Sequence, residues 1–297
     1  MPHATSTQAQ EALAALLAAR LEPPAAAWLA ARDPEASLES LLPLLPEVER
    51  AVGRRPLIAA FAARAAAVVP GVWGEIPVGE WTLGAAVRAL LVARAAQREA
   101  DPCAALFGAY DQGDTQTRVA CLRALDLCGP GSVEAGLRLI HDAGRTYLTE
   151  LMSAAWCGNA FSAEHLSDHD HRKAVLKALF CDVPVAGFLA LERRADPELA
   201  KSLCDYADER LAAGRPVPRA VWPLAALHPR PGLVARLVGM LEHPDREERL
   251  VAARALQNAR DPRAGSFLRE RREREQDDEV RRALDSALKV GALEEAA

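Results

Sequence analysis

Three of the chain's seven histidines, His165, His169 and His171, fall within one short run, downstream of Trp156, Cys157 and Asn159. Imidazoles this close together suggest a metal site or a proton carrier, because histidine gives and takes protons near neutrality. The spacing argues against a metal. His165 and His169 share a face only in a helix, whereas His169 and His171 share one only in an extended strand. No metal is therefore assigned. Ser167-Asp168 reads instead as a helix start that leaves the imidazoles at a polar helix end. His171, in that first turn, is the choice for a proton carrier, with Asp205 as its acidic counterpart. Arg145, between Gly144 and Thr146, carries a guanidinium that forks onto carboxylates and phosphates. Lys177 is the one charge in the apolar run Ala174–Phe180, and Tyr206 adjoins Asp205. Arg145, Trp156, Asn159, His165, His169, Lys177 and Tyr206 form the candidate ligand-binding set. Cys157 near His165 or His171 has the makings of a nucleophile and base, against its ordinary role as a small core residue. Trp81, Trp156 and Trp222 either line an apolar site or fill the core.

The elements that must position these groups read as helices. Apolar residues recur at helical spacing over His171–Cys181 and over Pro197–Ala213. Asp196 caps the second of these, Pro197 takes its first position, and Gly214 ends it. Upstream, residues 1–8 read as disordered and Gln8–Leu21 as an amphipathic helix. Ser37–Leu45 and the alanine-rich Leu57–Val69 read as further helices, and Thr82 and Asp101 as caps of two more. Alternating apolar and polar runs are absent, so no sheet is expected.

A repeat organises the rest. Asp114-x-x-x-Arg118, Asp245-x-x-x-Arg249 and Asp277-x-x-x-Arg281 are each followed by an Ala-Leu pair, at Ala124-Leu125, Ala255-Leu256 and Ala287-Leu288. A capping Asp, an Arg one turn in and a small-residue face are marks of HEAT-like helical pairs. The fold class is all-α, a right-handed α-solenoid of HEAT-like helical hairpins. Gly129-Pro130-Gly131 and the proline-rich Pro216–Pro231 are the strongest breaks, the latter a linker or a long inter-helix loop. Two domains follow: residues 1–228, and residues 229–297 as C-terminal HEAT-like capping repeats packed continuously on the first.

Of 297 residues, 50% are hydrophobic and only 5% aromatic, a mix that favours close-packed helices. A net charge of −5 with interleaved acids and bases argues against nucleic-acid binding. No apolar run is long enough to span a membrane. The N-terminus lacks a signal-peptide pattern, so the expected location is cytoplasmic. The six cysteines show no Cys-x-x-Cys spacing and no glycine-rich phosphate loop is present, so no cofactor is assigned.

VLKALF at Val175–Phe180, ERRADPELA at Glu192–Ala200 and DYADERLAAGR at Asp205–Arg215 resemble the C-terminal half of the EboA family of bacterial metabolite-traffic proteins. Gly144-Arg145-Thr146, the Asn159 segment, and Gly79–Thr82 followed by Ala86–Leu91 resemble it too, over roughly residues 10–228. His171, Arg172 and Lys173 stand where the family has Trp-Asn-Gln. The resemblance implies a module that binds a small metabolite or a pathway protein during synthesis or export of a secondary metabolite. The alternative is a cofactor-independent enzyme that performs acid–base cyclisation or isomerisation of an intermediate in a pocket of the solenoid. The sequence leaves the oligomeric state open. It does make one geometric demand: Arg249 and Arg281 must occupy equivalent places in successive hairpins, and a structure with them on unrelated faces overturns the repeat.

Overall fold

The structure, a computed structural model, describes residues 4–32, 37–129 and 131–295. It divides into two compact units, Met1–Leu189 and Ala190–Ala297. Both are built from helices packed as hairpins, the α-solenoid pattern.

The first unit opens with α1 (Ser6–Ala18), whose start is fixed by a capping box between Thr5 and Gln8. The helix therefore begins before Gln8, within the run expected to be disordered; residues 1–3 lie outside the described residues, as does Pro130 of the Gly129-Pro130-Gly131 break. Pro23 and Pro24 open α2 (Pro23–Ala30). The helix expected over Ser37–Leu45 is only one α-turn, α3 (Leu38–Leu41), followed by 3-10 helix over Leu42–Glu47 and then α4 (Val48–Val52). Pro43 and Pro46 lack the N–H groups that a continuous α-helix needs.

The alanine-rich run Leu57–Val69 is not one helix either. It holds the single turn α5 (Phe61–Arg64), then β1 (Val68–Pro70), which pairs antiparallel with β2 (Glu75–Pro77) so that Val69 faces Ile76. This small hairpin corrects the expectation of no sheet. Two β-branched valines directly before Pro70-Gly71 favour strand and turn over helix. Gly79 lets the chain cross tightly here, because a Cβ at that position would run into the Arg64 carbonyl.

The centre of the unit is α6 (Leu83–Ala96), capped by Thr82 and buried on nearly every side. It touches α1, α3 and α4, together with the next two helices, α7 (Pro102–Gln112) and α8 (Thr115–Ala124). A helix apolar all round belongs in such a core. Its one buried charge, Arg88, is 4% exposed and donates to the Leu45 carbonyl and to Glu49, each at 3.2 Å. Beyond it follow α9 (Val133–Arg145), α10 (Thr149–Trp156), α11 (Ala160–His165) and α12 (Asp168–Phe180). Helices α6, α8 and α10 pack in one row, and α7, α9 and α11 in the other.

The second unit is simpler. Its helices are α13 (Pro197–Ala212), α14 (Val221–Ala225), α15 (Leu233–Met240), α16 (Arg246–Ala259), α17 (Gly265–Arg274) and α18 (Asp278–Glu295). Each odd-numbered helix pairs with the next, while α14, α16 and α18 stack in sequence. The proline-rich Pro216–Pro231 is therefore no linker: it contains α14, whose Trp222 is buried.

The repeated Asp and Arg do the same work in all three copies. Asp114, Asp245 and Asp277 accept hydrogen bonds from backbone N–H groups that open α8, α16 and α18. Arg118, Arg249 and Arg281 reach back to the carbonyl five residues earlier, those of Gly113, Pro244 and Gln276, at 3.1, 2.9 and 3.3 Å. Arg249 and Arg281 thus hold equivalent places. An arginine from the preceding repeat grips each of the last two caps: Arg219 meets Asp245 at 2.8 Å, and Arg246 meets Asp277 at 3.0 Å.

At the turn between α17 and α18, Glu275 is almost wholly buried. Arg249 meets it in a fork at 2.8 and 3.1 Å, Arg271 at 2.7 Å, and the N–H groups of Gln276 and Asp277 at 3.0 Å. The Arg249 hydrogen bond, with help from the backbone and Arg271, holds this carboxyl far below the usual carboxylate range. Its stabilisation is complete above the unfolded value of about 4.3 and fades as pH falls toward the folded one. Glu275→Gln, which leaves two half-buried guanidiniums facing a neutral group, is expected to cost about 3–5 kcal/mol in urea unfolding at neutral pH. It should also flatten the acid limb of the stability curve below about pH 4.3. An unchanged acid limb would refute this account.

Candidate functional site

Helical geometry decides which side chains can meet. On α12, Asp170, Lys173, Ala174 and Lys177 follow i, i+3, i+4, i+7 and share one face. On α9, Ile140, His141, Gly144 and Arg145 follow i, i+1, i+4, i+5, two neighbouring pairs one turn apart that share a face. These faces oppose each other and enclose, with Trp156 and Leu166, a cleft of about 320 Å³. Lys177 fastens its rim. Its ammonium donates to the carbonyls of Gly144 and Thr146, at 2.6 and 2.9 Å, where α9 ends and its carbonyls lack helical partners. It also lies 4.8 Å from the centre of the Tyr147 ring. Gly144 makes room for the floor, because a Cβ there would sit 3.0 Å from the Trp156 ring.

Of the residues singled out in the sequence, Arg145, Trp156 and Lys177 come together in this cleft. His171 does not join them. It is six residues before Lys177 and so points from another side of α12. There it is 2% exposed, edge-on to Phe188 at 6.0 Å, beside a space of about 10 Å³ behind Trp156 and Leu166. That volume holds about one water. His165 packs between Trp73 and Phe161, with ring centres 4.5 and 4.6 Å away, and burial lowers its pKa. His169 is exposed. The three imidazoles therefore face different surroundings. Among the described residues no group of three His, Cys, Asp or Glu side chains is placed to hold a metal.

Asp205 and Tyr206 belong to α13 of the second unit. Asp205 is a surface carboxylate paired with Lys201 at 2.6 Å and Arg230 at 2.9 Å, so cations of its own unit engage both its oxygens. Its Lys201 hydrogen bond, then that from Arg230, hold the pKa below the usual range. Tyr206 stacks with the Arg210 guanidinium. Cys157 donates to the Pro184 carbonyl, and burial pushes its thiol up to about 11, far from a poised nucleophile. Trp81 and Trp222 are buried core residues.

Asn159 has a full set of structural bonds. Its amide donates to the carbonyls of Leu122 and Ala154, and its oxygen caps α11 at the Ser162 N–H. Beside it lies a group not singled out in the sequence, Asp126, 2% exposed at the end of α8. Its two oxygens accept the N–H groups of Ala160 and Phe161 at 3.0 and 2.7 Å. Burial pushes this carboxyl up to about 7, against the pull of those two N–H groups. Together Asp126 and Asn159 anchor α11, and so fix where α12 begins. His141, Asp170 and Lys173 were missed as well, though their spacing with Arg145 and Lys177 was readable. His141 and Asp170 lie close enough to interact electrostatically across the cleft, and His169 and Lys173 also act on Asp170.

Comparison with known families matches residues 9–226 to the metabolite traffic protein EboA, and residues 218–289 to HEAT repeats. The chain belongs to the EboA family. No curated protein and no solved structure matches it. The family match contains the whole cleft. It ends inside the second unit, so family boundary and structural boundary differ. Among the described residues no helix is long and apolar enough to cross a membrane.

Asp126→Asn would turn an amide N–H₂ toward a backbone N–H. The expected cost is about 1–3 kcal/mol in urea unfolding. The raised folded pKa means that the native state binds the extra proton, so wild-type stability should fall as pH rises from about 3.9 through about 7. The variant should lack that slope. Equal slopes in both proteins would contradict the buried-carboxyl assignment.

Proposed function

We propose that the chain is a binding module for a small metabolite, held in the cleft between α9 and α12, within a pathway that makes or exports a secondary metabolite. The cleft carries this reading. At about 320 Å³ it falls at the small end of ligand pockets, which run from about 300 to 1,000 Å³. It joins an apolar floor to a polar rim, and all its lining residues lie within the match to the metabolite-traffic family. The carboxylate and imidazole expected to act as a catalytic pair, Asp205 and His171, have separate surroundings: one is ion-paired at the surface of α13, the other buried against Phe188. A carrier needs only the cleft.

The test uses the full chain and the small-molecule extract of cells that make it. Protein and extract are mixed, separated by gel filtration, and the retained compounds are identified by mass spectrometry. Ala174→Trp fills the cleft from its floor, and Lys173→Trp blocks it from the exposed rim, where folding is least at risk. Both should lose the retained compound with helicity unchanged by circular dichroism. Glu270→Ala, a surface change in α17, should keep it. Retention by the two blocked variants at the wild-type level would refute the cleft as the site.

A further inference from the structure

We infer that the ligand of the α9–α12 cleft is an organic anion, an apolar body carrying one carboxylate or phosphate. The inference rests on the reading above that this cleft is the binding site, and adds the chemistry of what it takes.

The floor sets the body. Ile140, Trp156, Leu166 and Ala174 are all buried and give it an apolar, partly aromatic base. The rim sets the charge. Arg145, Lys173 and Lys177 bring three cations, against the single carboxylate of Asp170, in a protein whose net charge is −5. Two of these four groups are already committed. Asp170 accepts from the Ser167 hydroxyl at 2.7 Å, and its own N–H donates to the same oxygen, so it completes the start of α12. Lys177 spends two of its three N–H donors on the end of α9. Arg145 is exposed and has no hydrogen bond or ion pair with another described residue; Lys173 is exposed too, and meets Asp170 only through the longer-range field.

A guanidinium and an ammonium therefore stand over an apolar floor with their donors available. Arg145 supplies a planar fork that matches a carboxylate or phosphate edge. Lys173 supplies a compact charge from the other helix. An anion between them bridges α9 and α12, whereas a cationic ligand meets like charge on both sides and a neutral one leaves both donors to water.

Ligand-observed NMR of the full chain with benzoate, phenyl phosphate and benzamide tests this, because the three share a ring and differ in the attached group. At low salt at least one anion should bind about tenfold more tightly than benzamide, and added KCl should erode the preference. Which of the two anions binds more tightly identifies the recognised group. Arg145→Gln and Lys173→Gln should each weaken anion binding and leave benzamide unchanged. Benzamide binding as tightly as both anions, or an anion preference that survives both substitutions, overturns the inference. If no fragment binds, the charge of the compound retained from cell extract decides. A neutral or cationic compound lost on blocking the cleft overturns the anion assignment and leaves the cleft reading standing. Retention that ignores the blocking variants overturns both.

Discussion

Carbonyls at helix ends and in the tight turns between helices lack helical partners, and this chain repeatedly answers them with cations. Arg118, Arg249 and Arg281 each turn back from a first helical turn onto the carbonyls just before it. Arg88 reaches from the central helix to the Leu45 carbonyl. Lys177 does the same for α9 from a helix distant in sequence. A solenoid has many helix ends and few long loops, so it meets this demand repeatedly. At the Asp-x-x-x-Arg turns the acid satisfies the N–H groups of the coming helix, and the arginine the carbonyls of the departing chain. Turn geometry is fixed from both sides, and the apolar faces then pack in one way. The cleft follows from the same constraint, because the lysine that closes the end of α9 also sets how far α12 stands from it.

Much of this was legible in the sequence. The caps at Thr82, Asp101, Ser167 and Asp196, and the Asp-x-x-x-Arg turns, are local: donor and acceptor lie within a few residues, and spacing alone reveals them. The helix-poor stretch from Leu42 to Pro77 was less so. Alanine content argued for helix at Leu57–Val69, but pairing of β1 with β2 and packing against α1, with a valine pair before a turn, decided otherwise. The candidate cleft was half legible. Residue type alone picked out Arg145, Trp156 and Lys177, which line it. His171 was weighed for its chemistry ahead of its angle, and it lies six residues from Lys177, on another face of α12. Asp205 was chosen by residue type as the acidic counterpart of His171, whereas Lys201 and Arg230 pair with it at the surface. Asp126 left no local trace: its partners are backbone groups more than thirty residues away.

The second unit is held by charge in a different manner. Its exposed pairs, such as Arg219 with Asp245 and Arg246 with Asp277, are modest individually. They recur from one repeat to the next and fix the register in which the stack grows. Glu275 is the exception, a carboxylate out of water with two guanidiniums and two backbone N–H groups around it. Removing either side strands the other, so this one turn concentrates what the surface pairs spread out.

In the proposed site, some lining residues hold the fold and others stand free to choose a ligand. Ile140, Trp156 and Lys177 are tied into packing or helix ends, and a change at any of them disturbs the helix pair. Arg145 and Lys173 hold nothing in place. Their side chains can be exchanged for others of different charge or length at little expense to the fold, while the chamber beneath keeps its shape. Under the function proposed above, a scaffold built in this way is readily retuned: a lineage, or an engineer, redirects it to a new cargo by altering two exposed positions.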